Sequence, residues 1–352
     1  MKIYLIDDLQ HLQQHLAQSY QFHQVVTNSD GQCHWQQIAS AATKPVVHEP
    51  LIYEKPQSSA KSFFFAEQES VLIFNGEYFQ ETLPTPKPFV LFGVQSCDLT
   101  AIHYQDKFFK DDPYYQARRQ QCLLVGLDCI SPCEHGFCPT VNAGPGVKDG
   151  YADIILHSLV NKQWLLIAQT IKGSKALQGL ALTETHWHYL TQRDLVLHQC
   201  ENEFPDDKYI TDGIKKINSG EISSEFWRKL AIQCLGCSGC TTLCPTCSCY
   251  GTRTIKQDNN HFSQQRFWDS CLYEGFQREA SFNNPSAEAG TRVQRFWQHK
   301  FGNEFFTEFS RHGCVGCGRC EQTCPGVIGI HSVMKRLTEE KEQKNGQEDT
   351  NA

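Results

Sequence analysis

The chain has 352 residues, a formal net charge of −7 and 18 cysteines. Its length suffices for two or three domains, the negative charge argues against a general nucleic-acid-binding protein, and no stretch has the apolar length of a membrane span. The opening Met-Lys-Ile-Tyr-Leu-Ile-Asp-Asp lacks the apolar run of a signal peptide, so we expect a cytoplasmic protein whose thiols bind metal rather than form disulfides.

Residues 1–215 are predicted to form a mixed α/β domain, because short apolar runs alternate with segments of helical periodicity. The predicted strands are residues 2–6, 70–74, 89–94, 122–127, 153–159 and 163–170. The predicted helices are residues 8–20, 99–109, 113–121, 177–182 and 185–200. Asp98 and Asp112 precede two of these helices, where an aspartate can cap the first turn.

Four cysteines are expected to meet at one edge of this domain. Cys97 and Cys129 each follow a predicted strand, and because a helical crossover joins the two strands, they should be parallel. Parallel strands end at the same edge of a sheet, where open α/β sheets bind their ligands. Cys133 and Cys138 follow at once in the C-x3-C-x4-C spacing, which matches no standard ligand run. Either the four thiols bind a third metal centre or they are reactive and structural thiols.

A polar stretch at residues 206–220 is predicted to contain the domain boundary, and the C-terminal domain is predicted to comprise residues 216–336. Segment 223–232 has the pattern of an amphipathic helix, and the 69 residues between Cys244 and Cys314 carry apolar residues such as Phe267 at helical spacings. We therefore expect an α-helical ferredoxin-type domain, and an α+β chain overall. Residues 337–352 are almost entirely polar and are expected to be a disordered tail.

The C-terminal domain contains the same cysteine pattern twice. The first run comprises Cys234, Cys237, Cys240 and Cys244, and the second comprises Cys314, Cys317, Cys320 and Cys324. Each run reads C-x2-C-x2-C-x3-C-P, which is the bacterial ligand pattern for a [4Fe-4S] cluster. Zinc is the alternative, since paired C-x2-C motifs also form four-cysteine zinc sites. Zinc requires neither the third cysteine, nor the Cys-Pro ending, nor the repeat, so the pattern favours two clusters.

Ligation is expected to be crossed between the two runs, because in two-cluster ferredoxins the fourth cysteine of each run binds the other cluster. The first cluster would be held by Cys234, Cys237, Cys240 and Cys324, and the second by Cys314, Cys317, Cys320 and Cys244. Arg319 lies inside the second run and is expected to favour the reduced form. Cys247, Cys249 and Cys271 are extra thiols, which we interpret as a buried layer beside the clusters rather than as ligands.

Several further blocks of sequence resemble one family of iron–sulfur proteins over most of the chain. The blocks are Phe92-Gly-Val-Gln-Ser-Cys97-Asp98-Leu, Asp112-Pro-Tyr-Tyr115, Asp128-Cys129, Phe137-Cys138, Gly144-Pro145, Cys244-Pro-Thr-Cys247-Ser-Cys249, Trp268-Asp-Ser-Cys271, His299-Lys300-Phe301 and the Cys314 run. The family includes the β subunit of sulfhydrogenase-type [NiFe] hydrogenases and the corresponding iron–sulfur component of anaerobic sulfite reductase. Two positions depart from it: Gln95-Ser96 stands where Arg-Pro is usual, and Gly136 where a cysteine is frequent.

The resemblance implies an electron-transfer subunit that connects a flavoprotein subunit, which handles NAD(P)H, with a catalytic subunit. That catalytic subunit would be a [NiFe] hydrogenase or, alternatively, a sulfite reductase. A second hypothesis is reduction of polysulfide or a disulfide by the Cys97–Cys138 region, and a third is a zinc-stabilised scaffold. No catalytic triad or carboxylate pair is recognisable, so we assign no catalytic residue.

Overall fold

A computed structural model describes residues 2–38, 54–159, 162–258 and 260–348 of the chain. The chain divides into two compact units. The N-terminal unit comprises residues 1–65 and 83–204, and the C-terminal unit comprises residues 66–82 and 205–352. The chain therefore enters the C-terminal unit twice, first for one short segment and then for the rest of its length.

Strands and helices alternate in the first half of the chain, and helices dominate the second. The strands of the described residues are β1 (Lys2–Ile6), β2 (Gln21–Thr27), β3 (Cys33–Ile38), β4 (Gln68–Phe74), β5 (Phe79–Glu81), β6 (Phe89–Gln95), β7 (Cys122–Leu127), β8 (Ile154–Ser158), β9 (Trp164–Ala168), β10 (Thr183–Glu184), β11 (Tyr250–Lys256) and β12 (Phe262–Trp268). The helices are α1 (Gln10–Ser19), α2 (Ser96–Phe108), α3 (Pro113–Gln121), α4 (Ile171–Ala176), α5 (His188–Asn202), α6 (Lys208–Ser219), α7 (Ser224–Gln233), α8 (Gly239–Thr242), α9 (Ala289–Phe301), α10 (Asn303–Phe309), α11 (Arg319–Thr323) and α12 (Ile330–Glu348). The α+β fold class is the one that the sequence predicts.

The N-terminal unit is built on one mixed sheet with the strand order β10-β1-β9-β8-β7-β6-β2-β3. Its centre is parallel, since β2, β6, β7 and β8 pair in parallel register. Every residue of β6 and β7 is buried, as expected of apolar strands covered on both faces. The predicted parallel pairing of β6 and β7 is therefore confirmed, and both strands end at the same edge of the sheet.

Two aspartates were predicted to cap helices of the N-terminal unit, and the structure confirms one of them. Asp112 caps α3 as predicted, because its carboxylate accepts a hydrogen bond of 2.8 Å from the backbone N–H of Tyr115. The expected N-cap at Asp98 is wrong: α2 begins at Ser96, three residues before the predicted first residue Leu99, and Asp98 lies in its first turn. A carboxylate at that position still interacts favourably with the positive end of the helix dipole.

A helix predicted at residues 177–182 lies earlier, at α4. The reason is local, since the Thr170 hydroxyl accepts a hydrogen bond of 3.0 Å from the backbone N–H of Gly173 and starts the helix there. Gly179 then adopts a φ of +90°, a left-handed conformation that interrupts helical structure.

The C-terminal unit combines helices with a small antiparallel sheet of order β11-β12-β4-β5. The helical periodicity assigned to Phe267 is wrong, because Phe267 lies in β12 and pairs with Gln68 of β4. Residues 66–82 thus join this unit through strand pairing, which no local pattern signals. The predicted boundary at 215/216 falls inside α6, which packs against α12.

The expected disordered tail also differs from the structure. Helix α12 continues to Glu348, so residues 337–348 of the expected tail are helical, and residues 349–352 lie outside the described residues. Among the helices of the described ranges, none combines the length and apolar content that a membrane span needs.

A buried ion pair attaches α5 to the end of β7. Arg193 donates two hydrogen bonds to the Asp128 carboxylate, from Nε to Oδ2 at 2.6 Å and from Nη2 to Oδ1 at 3.0 Å. The His157 ring lies 3.1 Å from Oδ2, and the backbone N–H of Val147 donates to Oδ1 at 2.7 Å. Burial alone would raise the pKa of Asp128, but the hydrogen bonds from His157 and Arg193 outweigh burial and lower it.

We expect Arg193→Met to destabilise the protein, because it leaves the Asp128 carboxylate buried without its cation. Removing one partner of a buried pair costs about 3 kcal/mol, which lowers the midpoint of thermal unfolding by roughly 6–12 °C in a unit of this size. Circular dichroism of the anaerobic protein during heating measures this midpoint.

Lys2→Met is the matched control, since it removes an exposed ion pair of the same unit, the 3.9 Å contact with Glu184. Exposed pairs contribute little to stability, so the control should melt with the wild type. Equal midpoints for the two variants would show that the Arg193–Asp128 pair does not stabilise the fold.

Candidate metal centre

The two cysteine runs have the same backbone course as well as the same sequence pattern. Gly236 and Gly316 occupy equivalent positions, with φ values of +64° and +65°. Ser238 and Gly318 are equivalent too, with φ values of +63° and +72°, and each precedes a short helix, α8 or α11. These left-handed residues curl each loop tightly, so that backbone N–H groups can approach sulfur. In the second run the Gly316 N–H donates to Cys314 Sγ at 3.3 Å.

Three cysteines of the first run share one cavity with two cysteines of the second run, Cys320 and Cys324. Cys234, Cys237, Cys240 and Cys324 all line this cavity, together with apolar side chains such as Trp297 of α9. The pKa of Cys240 is raised to about 12, chiefly by burial and then by the nearby thiols of Cys234, Cys324, Cys244 and Cys237. The arrangement is the one that crossed ligation of the first cluster requires.

The second run receives the last cysteine of the first run in the same way. The pKa of Cys314 is raised to about 12, because burial and the neighbouring thiols of Cys317 and Cys244 outweigh the hydrogen bond from the Gly316 N–H. The pKa of Cys320 is also raised, by burial and then by Cys314, Cys317 and Cys244. Cys244 therefore lies among the first three cysteines of the other run.

The donor chemistry fits iron–sulfur clusters. Each group offers four thiols and a tight glycine-containing loop, which is the ligand set of a [4Fe-4S] cube. Within the described ranges, no group of three or more His, Cys, Asp or Glu side chains is gathered tightly enough to hold a single metal ion.

The comparisons with known proteins agree with this geometry. A family model described as a 4Fe-4S dicluster domain matches residues 233–328. Over 299 residues the chain is 30% identical to sulfhydrogenase 2 subunit beta of Pyrococcus furiosus, an alignment that covers 82% of this chain and 85% of the relative. The chain belongs to the sulfhydrogenase β-subunit family. It is thus an iron–sulfur subunit for electron transfer, with a 4Fe-4S dicluster domain at its C-terminal end.

A buried lysine stands beside one sulfur of this family member's dicluster domain. Lys300 of α9 is only 4% exposed, and its ammonium group lies 3.3 Å from Cys244 Sγ. The same ammonium donates to the Thr246 hydroxyl at 2.9 Å and to the Gly313 carbonyl at 3.2 Å. A hydrogen bond from the Cys247 thiol lowers the pKa of Cys244, and the Lys300 charge lowers it further against the effect of burial. The thiolate form of Cys244 is therefore favoured.

The extra thiols form a hydrogen-bonded layer beside the two runs. Cys247 donates to Cys244, and Cys271 donates to Cys249. The hydrogen bond from Cys271 lowers the pKa of Cys249 to about 6 although burial opposes the shift. Arg319 begins α11 and is only 2% exposed, so a second buried cation belongs to this region.

Of the four cysteines predicted to meet in the N-terminal unit, three lie within electrostatic range of one another. Cys129, Cys133 and Cys138 influence one another electrostatically, whereas Cys97 is buried in the first turn of α2. Sequence reasoning missed a further thiol of this group, Cys200 of α5, which raises the pKa of both Cys129 and Cys138. The sequence offered one indication of its position: Cys200 lies seven residues after Arg193 on a predicted helix, and residues at that spacing share one helix face.

We expect Lys300→Met to lower the reduction potential of the centre to which Cys244 belongs. Reduction adds negative charge, and the buried ammonium at 3.3 Å from Cys244 Sγ stabilises that charge. The expected shift is about 60 mV, the one-electron equivalent of about 1.4 kcal/mol. A potentiometric titration followed by electron paramagnetic resonance measures it.

Two variants serve as controls for this experiment. Lys300→Arg keeps the positive charge and should retain most of the potential, and Lys229→Met removes an exposed lysine of the same unit and should leave it unchanged. If Lys300→Met and Lys229→Met have the same potentials, then Lys300 does not tune this centre.

Proposed function

We propose that this chain relays electrons one at a time through two [4Fe-4S] clusters held crosswise by the two cysteine runs. Cys234, Cys237, Cys240 and Cys324 hold one cluster, and Cys314, Cys317, Cys320 and Cys244 hold the other. The observation that carries the proposal is the position of the fourth cysteines: Cys324 lines the cavity of the first run, and Cys244 lies among the thiols of the second.

Crossed ligation keeps the two clusters close together. Cys240 and Cys244 are only four residues apart, on and just after α8, yet they serve different clusters. Helix α8 packs against α11, the corresponding helix of the second run, so the two loops cannot separate without breaking this contact. A bound iron–sulfur cluster takes up and releases single electrons, and a short distance between two clusters makes transfer between them fast.

The residues around the clusters favour electron transfer over chemistry on a substrate. The cavity of the first run is lined by apolar side chains such as Val293 and Trp297, which are part of the environment that tunes a cluster's potential. Lys300 places positive charge beside the second cluster and stabilises its reduced form. Transfer of single electrons between clusters needs no acid, base or nucleophile.

The partners in this proposal are a flavoprotein subunit that handles NAD(P)H and a catalytic subunit. The name of the relative, sulfhydrogenase 2 subunit beta, supports a hydrogenase in the catalytic role. A flavin collects two electrons from NAD(P)H and can release them singly, which is the form that the chain would accept. We also propose a cytoplasmic location, because a reducing compartment preserves the many free thiols of the chain.

Pairs of cysteine variants test the crossed arrangement in the full chain, purified and assayed for iron without air. Cys244→Ala alone should lose about four irons, because alanine removes one ligand of one cube. Adding Cys317→Ala should lose no more, since both cysteines belong to the same cluster. Adding Cys237→Ala to Cys244→Ala should instead lose about eight irons, since both clusters are then damaged.

Cys33→Ala is the control, because this buried thiol lies in β3 of the N-terminal unit and should leave the iron content unchanged. Uncrossed ligation predicts the opposite pairing, in which Cys244 and Cys237 belong together. That result, or a wild-type protein that binds zinc and no iron, would overturn the proposal.

A further inference from the structure

Helix α5 lies over the loop that follows β7, and one face of the helix makes the contacts. Arg193 binds Asp128, the residue before Cys129, and also donates to the Val147 carbonyl at 3.0 Å. Leu197 packs so closely on Gly146 that a Cβ there would lie 2.6 Å from the leucine Cδ1. Residues i, i+4 and i+7 share one face of a helix, so Cys200 faces the same loop as Arg193 and Leu197. Cys200 is only 1% exposed.

The loop itself makes room for two sulfur atoms by means of glycines. A Cβ on Gly136 would lie 2.5 Å from Cys133 Sγ, and one on Gly144 would lie 2.8 Å from Cys138 Sγ. The same Cβ on Gly136 would be 3.6 Å from the ring of Phe204, which follows α5. The end of α5 and the Cys133 loop are therefore in contact. Any larger residue at these two glycines would displace a sulfur.

Two positive groups point at sulfurs of this loop. The backbone N–H of Ser96, at the start of the 13-residue α2, donates to the sulfur of Cys129. The Lys55 ammonium lies 3.8 Å from Cys133 Sγ. A helix N-terminus and an ammonium both stabilise thiolate, the form in which cysteine binds metal.

The thiols of Cys129, Cys133, Cys138 and Cys200 are mutual neighbours. Each of the four lies within electrostatic range of the other three. A Cβ on Gly144 would lie 2.8 Å from Cys138 Sγ and 3.5 Å from Ser96 Cβ, so Cys138 lies beside the residue whose N–H reaches Cys129. Four thiols brought together in this way are the donor set of an iron–sulfur cluster.

We propose that Cys129, Cys133, Cys138 and Cys200 form a four-thiolate site for a third iron–sulfur cluster, in the N-terminal unit. The assignment keeps three of the cysteines expected from the sequence and replaces Cys97 with Cys200. Four cysteine thiols are the usual ligand set of an iron–sulfur cube, and a four-cysteine zinc site is the alternative that metal analysis separates from it. The site extends the proposed relay but uses none of its eight cysteines.

Iron and acid-labile sulfide analysis of the anaerobic full chain tests the proposal. The wild type should bind about twelve irons, and Cys200→Ala should bind about eight. Cys133→Ala should also bind about eight, and because Cys133 lies in a half-buried loop, this second variant keeps the test valid if Cys200→Ala does not fold. Cys97→Ala and the buried control Cys122→Ala should both keep about twelve.

Several results would overturn the third site. They are a wild type with only eight irons, a Cys200→Ala variant that folds and keeps all its iron, and loss of iron in Cys97→Ala but not in Cys200→Ala. The loss of one zinc ion with Cys200 would overturn the assignment to an iron–sulfur cluster. None of these outcomes affects the relay proposal, whose own variants, such as Cys317→Ala, lose iron independently of Cys200.

Discussion

In the proposed relay, the C-terminal unit depends on one constraint, which is that the last cysteine of each run completes the ligand set of the other run. Cys324 lines the cavity of the first run, and Cys244 lies beside Cys314 and Cys317 of the second. The two runs are about eighty residues apart in sequence, so the chain between them must fold back and bring the second run next to the first. The packing of α8 against α11 and of α7 against α9 meets this requirement. The packing of these helices thus holds the eight cysteines of the two runs near one another.

Charge is managed differently in the two units. In the C-terminal unit a buried lysine, Lys300, supports one sulfur directly and also binds the carbonyl and hydroxyl groups around it. In the N-terminal unit the cation is Arg193, which binds Asp128 and not a sulfur. The nearby sulfurs contact other positive groups: Cys129 the N-terminus of α2, and Cys133 the ammonium group of Lys55. A lysine acts as a point charge, whereas an arginine fixes a carboxylate in two hydrogen bonds and so orients the elements that carry them. Lys300 is suited to tuning a potential, and Arg193 to holding a helix in place.

Family membership and geometry contribute different parts of the functional argument. The relative and the family model establish an iron–sulfur subunit with a 4Fe-4S dicluster domain. The geometry adds the observations behind the proposed exchange of the last cysteines, and the place of a further group of thiols. Gly136 illustrates the difference, because the resemblance of the sequence led us to expect a cysteine there. Cys133 has its sulfur directly against that glycine, and Cys200 approaches from α5, so the region still gathers four thiols.

The sequence alone determined the features that depend on local pattern. The doubled cysteine runs, the apolar strands β6 and β7 and the Asp112 cap were all predictable, because spacing, burial and capping involve residues close together in the chain. Only the tertiary structure decided that β4 pairs with β12, that Lys300 reaches Cys244, and that Cys200 joins the loop after β7. These contacts join residues that are 56 to nearly 200 positions apart, and no local periodicity encodes which distant partner a residue meets.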